Sequence, residues 1–179
     1  MSKKALIFSG SPRKRGNSDL LSDEFIRGAN ESGNETEKIF LRDKKVNYCT
    51  GCMVCLYSKK PCPQKDDMAD ILDKIIASDV IVMATPVYFY TMDAQMKTLI
   101  DRCCSRSTEI TGKEFYFIMT AHDSEKSATN GTLEGFRYFL SCLTNPIEKG
   151  TVHGIGLYDI GDVKGSKLME VSYEMGKNI

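Results

Sequence analysis

The sequence predicts an α/β fold in which helices cover both faces of a parallel sheet. Short apolar runs alternate along the chain with segments whose apolar residues recur at helical spacing. The short runs are apolar at successive positions, which is typical of strands that are buried on both faces. Such strands need a layer of helices above and below them, so three layers are expected.

Five apolar runs are the predicted strands: residues 5–9, 38–41, 80–84, 115–120 and 152–158. Four sets of apolar positions predict the helices between and after them: Leu21, Phe25 and Gly28; Met68, Ile71, Leu72 and Ile75; Met92, Met96, Leu99 and Cys103; Leu133, Phe136, Leu140 and Leu143. A last helix is predicted over residues 166–177. Five strands alternating with helices suit a flavodoxin-like three-layer sandwich, with a five-stranded parallel sheet in the order 2-1-3-4-5.

Length and composition predict one domain spanning residues 1–179, since 179 residues with 41% hydrophobic content suffice for a single core. Lys plus Arg and Asp plus Glu each number 24, which argues against a nucleic acid or an anionic membrane as partner. The longest wholly apolar run, residues 80–84, is far shorter than the roughly 20 residues of a membrane span. No signal peptide precedes the first predicted strand, so we expect a cytoplasmic protein.

A turn rich in serine and glycine, SGSPRKRGNS at residues 9–18, follows the first predicted strand. A helix start at this point offers free backbone amides and a positive helix end to an anion, most simply a phosphate. The hydroxyls of Ser9, Ser11 and Ser18 add donors, Gly16 permits close approach, and Asn17 or Ser18 can cap the helix. Neither a GxGxxG nor a Walker motif is present, and an ordinary surface turn stays open as the alternative.

An aromatic stretch, TPVYFYTM at residues 85–92, follows the third predicted strand. The carboxyl edge beside the first and third strands is where open parallel sheets bind ligands. Three consecutive aromatic residues at that edge suit a flat, partly polar ring system such as isoalloxazine. The alternative is that these aromatic residues only complete the core.

Together, SGSPRKRGNS at 9–18 and TPVYFYTMDAQMKTLIDR at 85–102 resemble the two signatures of the NADPH-dependent FMN reductase family of flavodoxin-like proteins. The resemblance implies that the FMN phosphate is held by the first turn and that the isoalloxazine lies along the second stretch. The residues implicated in the first turn are Ser9, Ser11, Pro12, Arg13, Gly16, Asn17 and Ser18, and those in the second are Pro86, Val87, Tyr88 and Phe89. Thr120, Ala121 and His122 follow the fourth strand at the same edge and are candidates for the remaining flank of the ring, although His122 also suits an exposed loop.

A long connection over residues 42–67 carries four cysteines, Cys49, Cys52, Cys55 and Cys62, in the pattern CxxCxxCx6C followed by proline. This spacing favours a four-iron, four-sulfur cluster over zinc, and free or redox-active thiols stay open. With the following KDDM at residues 65–68, it resembles the iron–sulfur flavoprotein branch of the family, which implies a cluster beside FMN and an oligomer. Cys103, Cys104 and Cys142 fall on helical patterns and are interpreted as small buried hydrophobes.

The resemblance implies an NAD(P)H-dependent FMN oxidoreductase that passes electrons to a quinone, a flavin or another small acceptor. Hydride transfer to flavin N5 needs little acid or base chemistry, so no catalytic side chain is predicted. One alternative is an iron–sulfur electron carrier that ferredoxin reduces, and another is a redox-responsive interaction protein without turnover. A homodimer or homotetramer is expected, because a monomer would leave the aromatic rim at residues 88–90 exposed.

Overall fold

The central feature of the computed structural model, which describes residues 2–58 and 60–179, is a twisted parallel sheet. Its parallel strands are β1 (Lys4–Ser9), β2 (Glu35–Phe40), β3 (Val80–Tyr88), β5 (Glu114–Thr120) and β6 (Ile147–Gly154). A two-residue strand, β4 (Thr91–Met92), pairs antiparallel with the end of β3. The order β2-β1-β3-β5-β6 confirms the flavodoxin-like class. The predicted order 2-1-3-4-5 is that of the parallel strands alone, since the extra strand β4 shifts the numbering.

Six α-helices in the described residues flank the sheet or lie in its connections: α1 (Asn17–Glu31), α2 (Val54–Tyr57), α3 (Met68–Ala77), α4 (Ala94–Cys103), α5 (Asn130–Ser141) and α6 (Lys167–Lys177). Short 3-10 segments occur at Leu41–Asp43, Cys104–Glu109 and Lys126–Thr129. Within the described parts of the chain, no helix has both the length and the apolar character needed to cross a membrane.

The sheet separates two apolar cores. In β1, Leu6 and Phe8 belong to the core beneath α3, α4 and α5, whereas Ala5 and Ile7 belong to the core beneath α1 and α6. This alternation follows from the two-residue period of a strand, and it explains why the central strands are apolar throughout. Burial of each large side chain here stabilises the fold by roughly 1.5–3 kcal/mol.

The predicted strand bounds differ most from the observed ones at the edges of the sheet, although the central strand β3 also continues past its predicted end at residue 84 to Tyr88. The last strand was predicted over residues 152–158, but β6 begins at Ile147 and ends at Gly154, after which the chain turns into a loop. Likewise β2 begins at Glu35, before the predicted start at residue 38. Both are edge strands whose polar residues face solvent, so continuous apolar runs underestimate them at one end.

The prediction that Cys103, Cys104 and Cys142 are all buried is wrong for two of them. Cys103 is buried as expected, and burial raises the pKa of its thiol to about 12. Cys104 and Cys142 are exposed, because each follows the last residue of its helix, α4 and α5 respectively. The prediction that one domain accounts for residues 1–179 stays a prediction.

Candidate functional site

A cavity of about 170 Å³ lies at the carboxyl edge of the sheet, between the ends of β3 and β5 and the loops that follow β1, β5 and β6. Most of the residues expected to bind flavin line it: Ser11, Arg13, Gly16, Asn17, Ser18, Pro86, Val87, Tyr88, Thr120 and His122. The structure therefore brings the serine-rich turn and the aromatic stretch together, as the strand order predicts. Ser9, Pro12, Phe89 and Ala121 do not line this cavity.

Ser9 lies beneath the turn and faces the interior. It is fully buried, and its hydroxyl lies 3.2 Å from Asp19 Oδ1. Asp19 also accepts a hydrogen bond from the backbone amide of Arg15 at 3.0 Å and pairs with Lys38 Nζ at 2.5 Å. The Asp19 carboxylate thus fixes the shape of the turn from below, which leaves Ser11 and Ser18 as the serines that line the cavity.

Ser18, in the first turn of α1, has an unsatisfied hydroxyl. Its side-chain oxygen is buried without a hydrogen-bond partner anywhere in residues 2–58 and 60–179. A buried polar group without a partner costs about 1–3 kcal/mol, so this hydroxyl is suited to a ligand oxygen. Together with the N-terminus of α1, it gives this end of the cavity the chemistry that a phosphate requires.

The aromatic stretch forms a tight β-hairpin between β3 and β4. Its two turn residues, Phe89 and Tyr90, have positive φ values of 49° and 65°, the backbone conformation of a type I′ turn. Asn and Gly normally occupy such turns, and a bulky residue there is strained. The Phe89 side chain is 100% exposed and, with Ala121, lines an adjoining open cavity of about 630 Å³ that shares Val87 and His122 with the first.

A buried carboxylate connects the hairpin to the serine-rich turn. Asp93 caps α4 by accepting from the Met96 amide at 3.0 Å, and the Thr85 hydroxyl donates to it at 2.6 Å. Burial raises the pKa of Asp93, against the opposing effect of these hydrogen bonds. A Cβ atom on Gly10 would lie 2.2 Å from Asp93 Oδ2, so only glycine permits this approach of the two segments.

Sequence reasoning missed one wall of the cavity, which is formed by Leu157, Tyr158 and Ile160 in the loop after β6. The incorrect extension of the last strand to residue 158 concealed this loop. Tyr158 packs against His122 with ring centroids 4.6 Å apart. The only signal in the sequence was a polar and glycine-containing stretch between β6 and α6, which is too general to identify a binding loop.

The cysteine loop, residues 48–65, is held at its base by a buried ion pair. Arg102 of α4 donates two hydrogen bonds to Asp66, at 2.7 and 3.0 Å, and a third to the Asn47 carbonyl at 2.7 Å. Burial alone would raise the pKa of Asp66, but hydrogen bonds from Arg102 and from the Asn47 and Met68 amides hold it at about 2. Arg102 Nη2 also lies 3.6 Å from Cys62 Sγ.

The four cysteines of this loop are not gathered round one point. Cys49 and Cys52 are exposed, whereas Cys55 and Cys62 are half-buried. Cys55 lines a groove with Cys104, and burial together with the neighbouring Cys55 thiol raises the pKa of Cys104. Among the residues that the structure describes, no three His, Cys, Asp or Glu side chains are placed to hold a metal ion. The thiol chemistry suits an iron–sulfur cluster but these sulfur positions do not, so the cluster stays a prediction.

Comparisons with known proteins agree on the class of protein. An iron–sulfur flavoprotein of Archaeoglobus fulgidus is 46% identical over 99 residues, which cover 55% of this chain and 44% of the relative. An iron–sulfur flavoprotein of Methanocaldococcus jannaschii is also 46% identical over 99 residues, covering 55% of this chain and 51% of the relative. The matched stretch thus spans about half the length of these curated relatives.

Solved structures share the fold over the whole chain. The NAD(P)H:quinone oxidoreductase from Methanothermobacter marburgensis superimposes with a TM-score of 0.77 at 15% identity, covering 99% of this chain and 96% of that one. The azoreductase from Bacillus anthracis gives a TM-score of 0.74 at 15% identity, with both chains fully covered. The family model described as NADPH-dependent FMN reductase matches residues 3–145. This chain therefore belongs to the NADPH-dependent FMN reductase family of flavodoxin-like oxidoreductases.

Proposed function

We propose that this chain binds FMN in the cavity at the carboxyl edge and passes electrons from NAD(P)H through the flavin to a small acceptor such as a quinone or a second flavin. The observation that carries the proposal is the unsatisfied Ser18 hydroxyl at one end of a cavity that has aromatic and apolar walls at the other. Family membership supports FMN as the ligand.

The phosphate would lie at the N-terminus of α1. Ser11 and Ser18 offer hydroxyl donors there, and the first amides of the helix have no partners within the helix. Charge-assisted hydrogen bonds to a phosphate are roughly twice as strong as neutral ones, so this end accounts for a large share of FMN affinity.

The ring would lie against Pro86, Val87 and Tyr88, with Thr120 and His122 on its other flank. When bound, FMN supplies the chemistry, which is acceptance of a hydride from a nicotinamide and its release as electrons to an acceptor. The chain would supply position, since backbone and aromatic groups would hold the ring. The adjoining open cavity of about 630 Å³, which Phe89 and Tyr90 help to line, would receive the second reactant. That opening supports turnover with small acceptors.

An anaerobic visible spectrum combined with a turnover assay tests this function. Protein loaded with FMN is expected to show a flavin spectrum that NADH or NADPH bleaches, and a soluble quinone is expected to restore it. Ser141→Ala, at the end of α5 and outside the cavity, serves as a control that keeps both properties. A bound flavin that neither nicotinamide reduces would contradict the enzyme and favour an electron carrier.

An electron carrier of the iron–sulfur flavoprotein type, reduced by ferredoxin, is the second candidate. Cys49, Cys52, Cys55 and Cys62 on one loop favour it, as do the names of the relatives at 46% identity. About four irons per chain after anaerobic reconstitution, lost in Cys52→Ala while FMN stays bound, is the result this candidate requires. Iron-free protein would leave a plain FMN oxidoreductase, and protein without flavin or turnover would leave only a redox-responsive interaction protein.

Self-association is part of the same proposal. Tyr88, Phe89 and Tyr90 form an exposed aromatic rim beside the cavity, and monomers rarely leave such a patch uncovered. We expect a homodimer or homotetramer. Sedimentation at a range of concentrations tests this, and a persistent 20.0 kDa species would contradict it.

A further inference from the structure

The loop between β6 and α6, residues 155–166, forms a wall of the flavin cavity that the family match does not account for. Tyr158 and Ile160 line the cavity, whereas the matching family model ends at residue 145. Both side chains are large and mostly exposed, at 61% and 58%. The family model does not reach this loop, so the role of the loop follows from its own contacts.

Asn17 holds this loop through its side chain. Its Nδ2 donates to the Asp159 carbonyl at 2.9 Å, and its Oδ1 accepts from the amides of Gly161 and Val163 at 3.1 and 3.3 Å. A carboxamide oxygen has two acceptor sites, and both are used here. The Asn17 side chain is thus directed to the loop, although the resemblance implied that it binds the phosphate.

A second hydrogen bond joins the serine-rich turn to the same loop. Arg13 Nη1 donates to the Tyr158 carbonyl at 3.1 Å, so the serine-rich turn and the loop are joined at two points. The Tyr158 ring then packs against His122 with a tilt of 54°. The loop consequently spans from the phosphate end of the cavity to the flank of the ring.

We propose, on the basis of the function proposed above, that Tyr158 and Ile160 form the third wall of the flavin site and that Asn17 is a positioning residue acting through them. The wall contacts the part of the ligand that FMN and riboflavin share. Ser18, whose hydroxyl is unsatisfied, contacts the phosphate that only FMN carries. Asn17 and Ser18, adjacent in sequence, thus have separable roles.

Flavin titrations of the full chain, stripped of flavin, distinguish these roles by fluorescence quenching with FMN and with riboflavin. Tyr158→Ala is expected to weaken both flavins by the same factor, about 3- to 10-fold, the range for loss of one aromatic contact. Asn17→Ala is expected to weaken both equally, and the double variant to be little worse than Asn17→Ala alone. Ser18→Ala is expected to weaken FMN only, and Tyr138→Ala, an exposed tyrosine on α5, to change neither.

Amide hydrogen exchange tests the anchoring itself without any flavin. The amides of Gly161 and Val163 are expected to exchange faster in Asn17→Ala than in the parent chain, because their acceptor is removed. Should Asn17→Ala fail to fold, Tyr158→Ala and Ile160→Ser, both at exposed positions, still measure the wall directly.

Two results would overturn the proposal while leaving the flavin site intact. One is a loss of FMN affinity in Asn17→Ala with riboflavin affinity unchanged, which would make Asn17 a phosphate ligand. The other is unchanged affinity for both flavins in Tyr158→Ala. A parent chain that binds neither flavin would instead refute the proposed function, and the wall with it.

Discussion

The cavity at the carboxyl edge and the cysteine loop obtain their geometry in different ways. The cavity lies where strands end, and buried groups such as Asp19 and Asp93 fix its turns at several points. The cysteine loop extends from the sheet with Tyr48 and Tyr57 exposed, and the Arg102–Asp66 pair ties both of its ends. A site at strand ends inherits its shape from the sheet, whereas a site on a long loop depends on a few side-chain ties.

Breaking the Arg102–Asp66 ion pair at the base of the cysteine loop should produce the largest loss of stability. Arg102→Met leaves the Asp66 carboxylate buried without its partner, and we expect the free energy of unfolding to fall by about 3–5 kcal/mol. Urea denaturation measures this change. FMN affinity below the unfolding transition should be retained, because the cavity does not depend on this pair.

Arg137→Met is the matched control, since it breaks an exposed pair with Glu148 that contributes about 0–1 kcal/mol. A loss of FMN affinity in Arg102→Met as severe as its loss of stability would contradict the independence of the two regions.

The converse experiment targets the cavity. Gly10→Ala places a Cβ atom against Asp93 and should cost about 1–3 kcal/mol of stability while weakening FMN binding. Alkylation rates of the thiols in the cysteine loop should not change. Gly135→Ala is the control and should cost less. Its added Cβ would meet only the flexible Met92 methyl at 2.9 Å, and alanine is a better helix former than the glycine it replaces. Equal damage from both variants would argue against a special junction at Gly10.

The difference between a site at strand ends and a site held by side-chain contacts also explains what the sequence could predict. The cavity was predictable because SGSPRKRGNS and TPVYFYTM begin at the carboxyl ends of two buried apolar strands, and strand order brings these ends together. The roles of Ser9 and Asn17 were not predictable, since their partners Asp19 and Asp159 depend on side-chain direction and on a loop 142 residues away. The Arg102–Asp66 tie likewise joins residues 36 apart that no local pattern connects.

Relieving the strained turn should produce a smaller effect of opposite sign. Replacing Phe89 and Tyr90 by Asn and Gly suits the positive φ values, and we expect a gain of about 1–2 kcal/mol in stability. Turnover with a quinone should fall, because the exposed ring beside the open cavity is lost. Asn145→Gly, at another positive φ, should gain only a few tenths of a kcal/mol because Asn tolerates this conformation. Undiminished turnover in the stabilised hairpin would remove the aromatic turn from the site.

Acidification should produce the smallest effect, a partial loss of the stability that the Arg102–Asp66 pair contributes. The pKa of Asp66 is about 2 in the folded chain and 3.8 ordinarily, so its contribution is complete above about pH 4 and is lost as pH falls through about 2. The difference in stability between the parent chain and Asp66→Asn should therefore shrink between pH 4 and pH 3. A difference that stays constant over this range would contradict the ion pair.

The central claim is that the cavity at the carboxyl edge recognises the phosphate of FMN, and comparison of FMN with riboflavin on the unmodified chain tests it most directly. Isothermal titration of flavin-free protein should give an affinity at least about tenfold higher for FMN, since each charge-assisted hydrogen bond contributes about 1.5–3 kcal/mol. Equal affinities for FMN and riboflavin would contradict a phosphate site at Ser11 and Ser18, whatever else the chain binds.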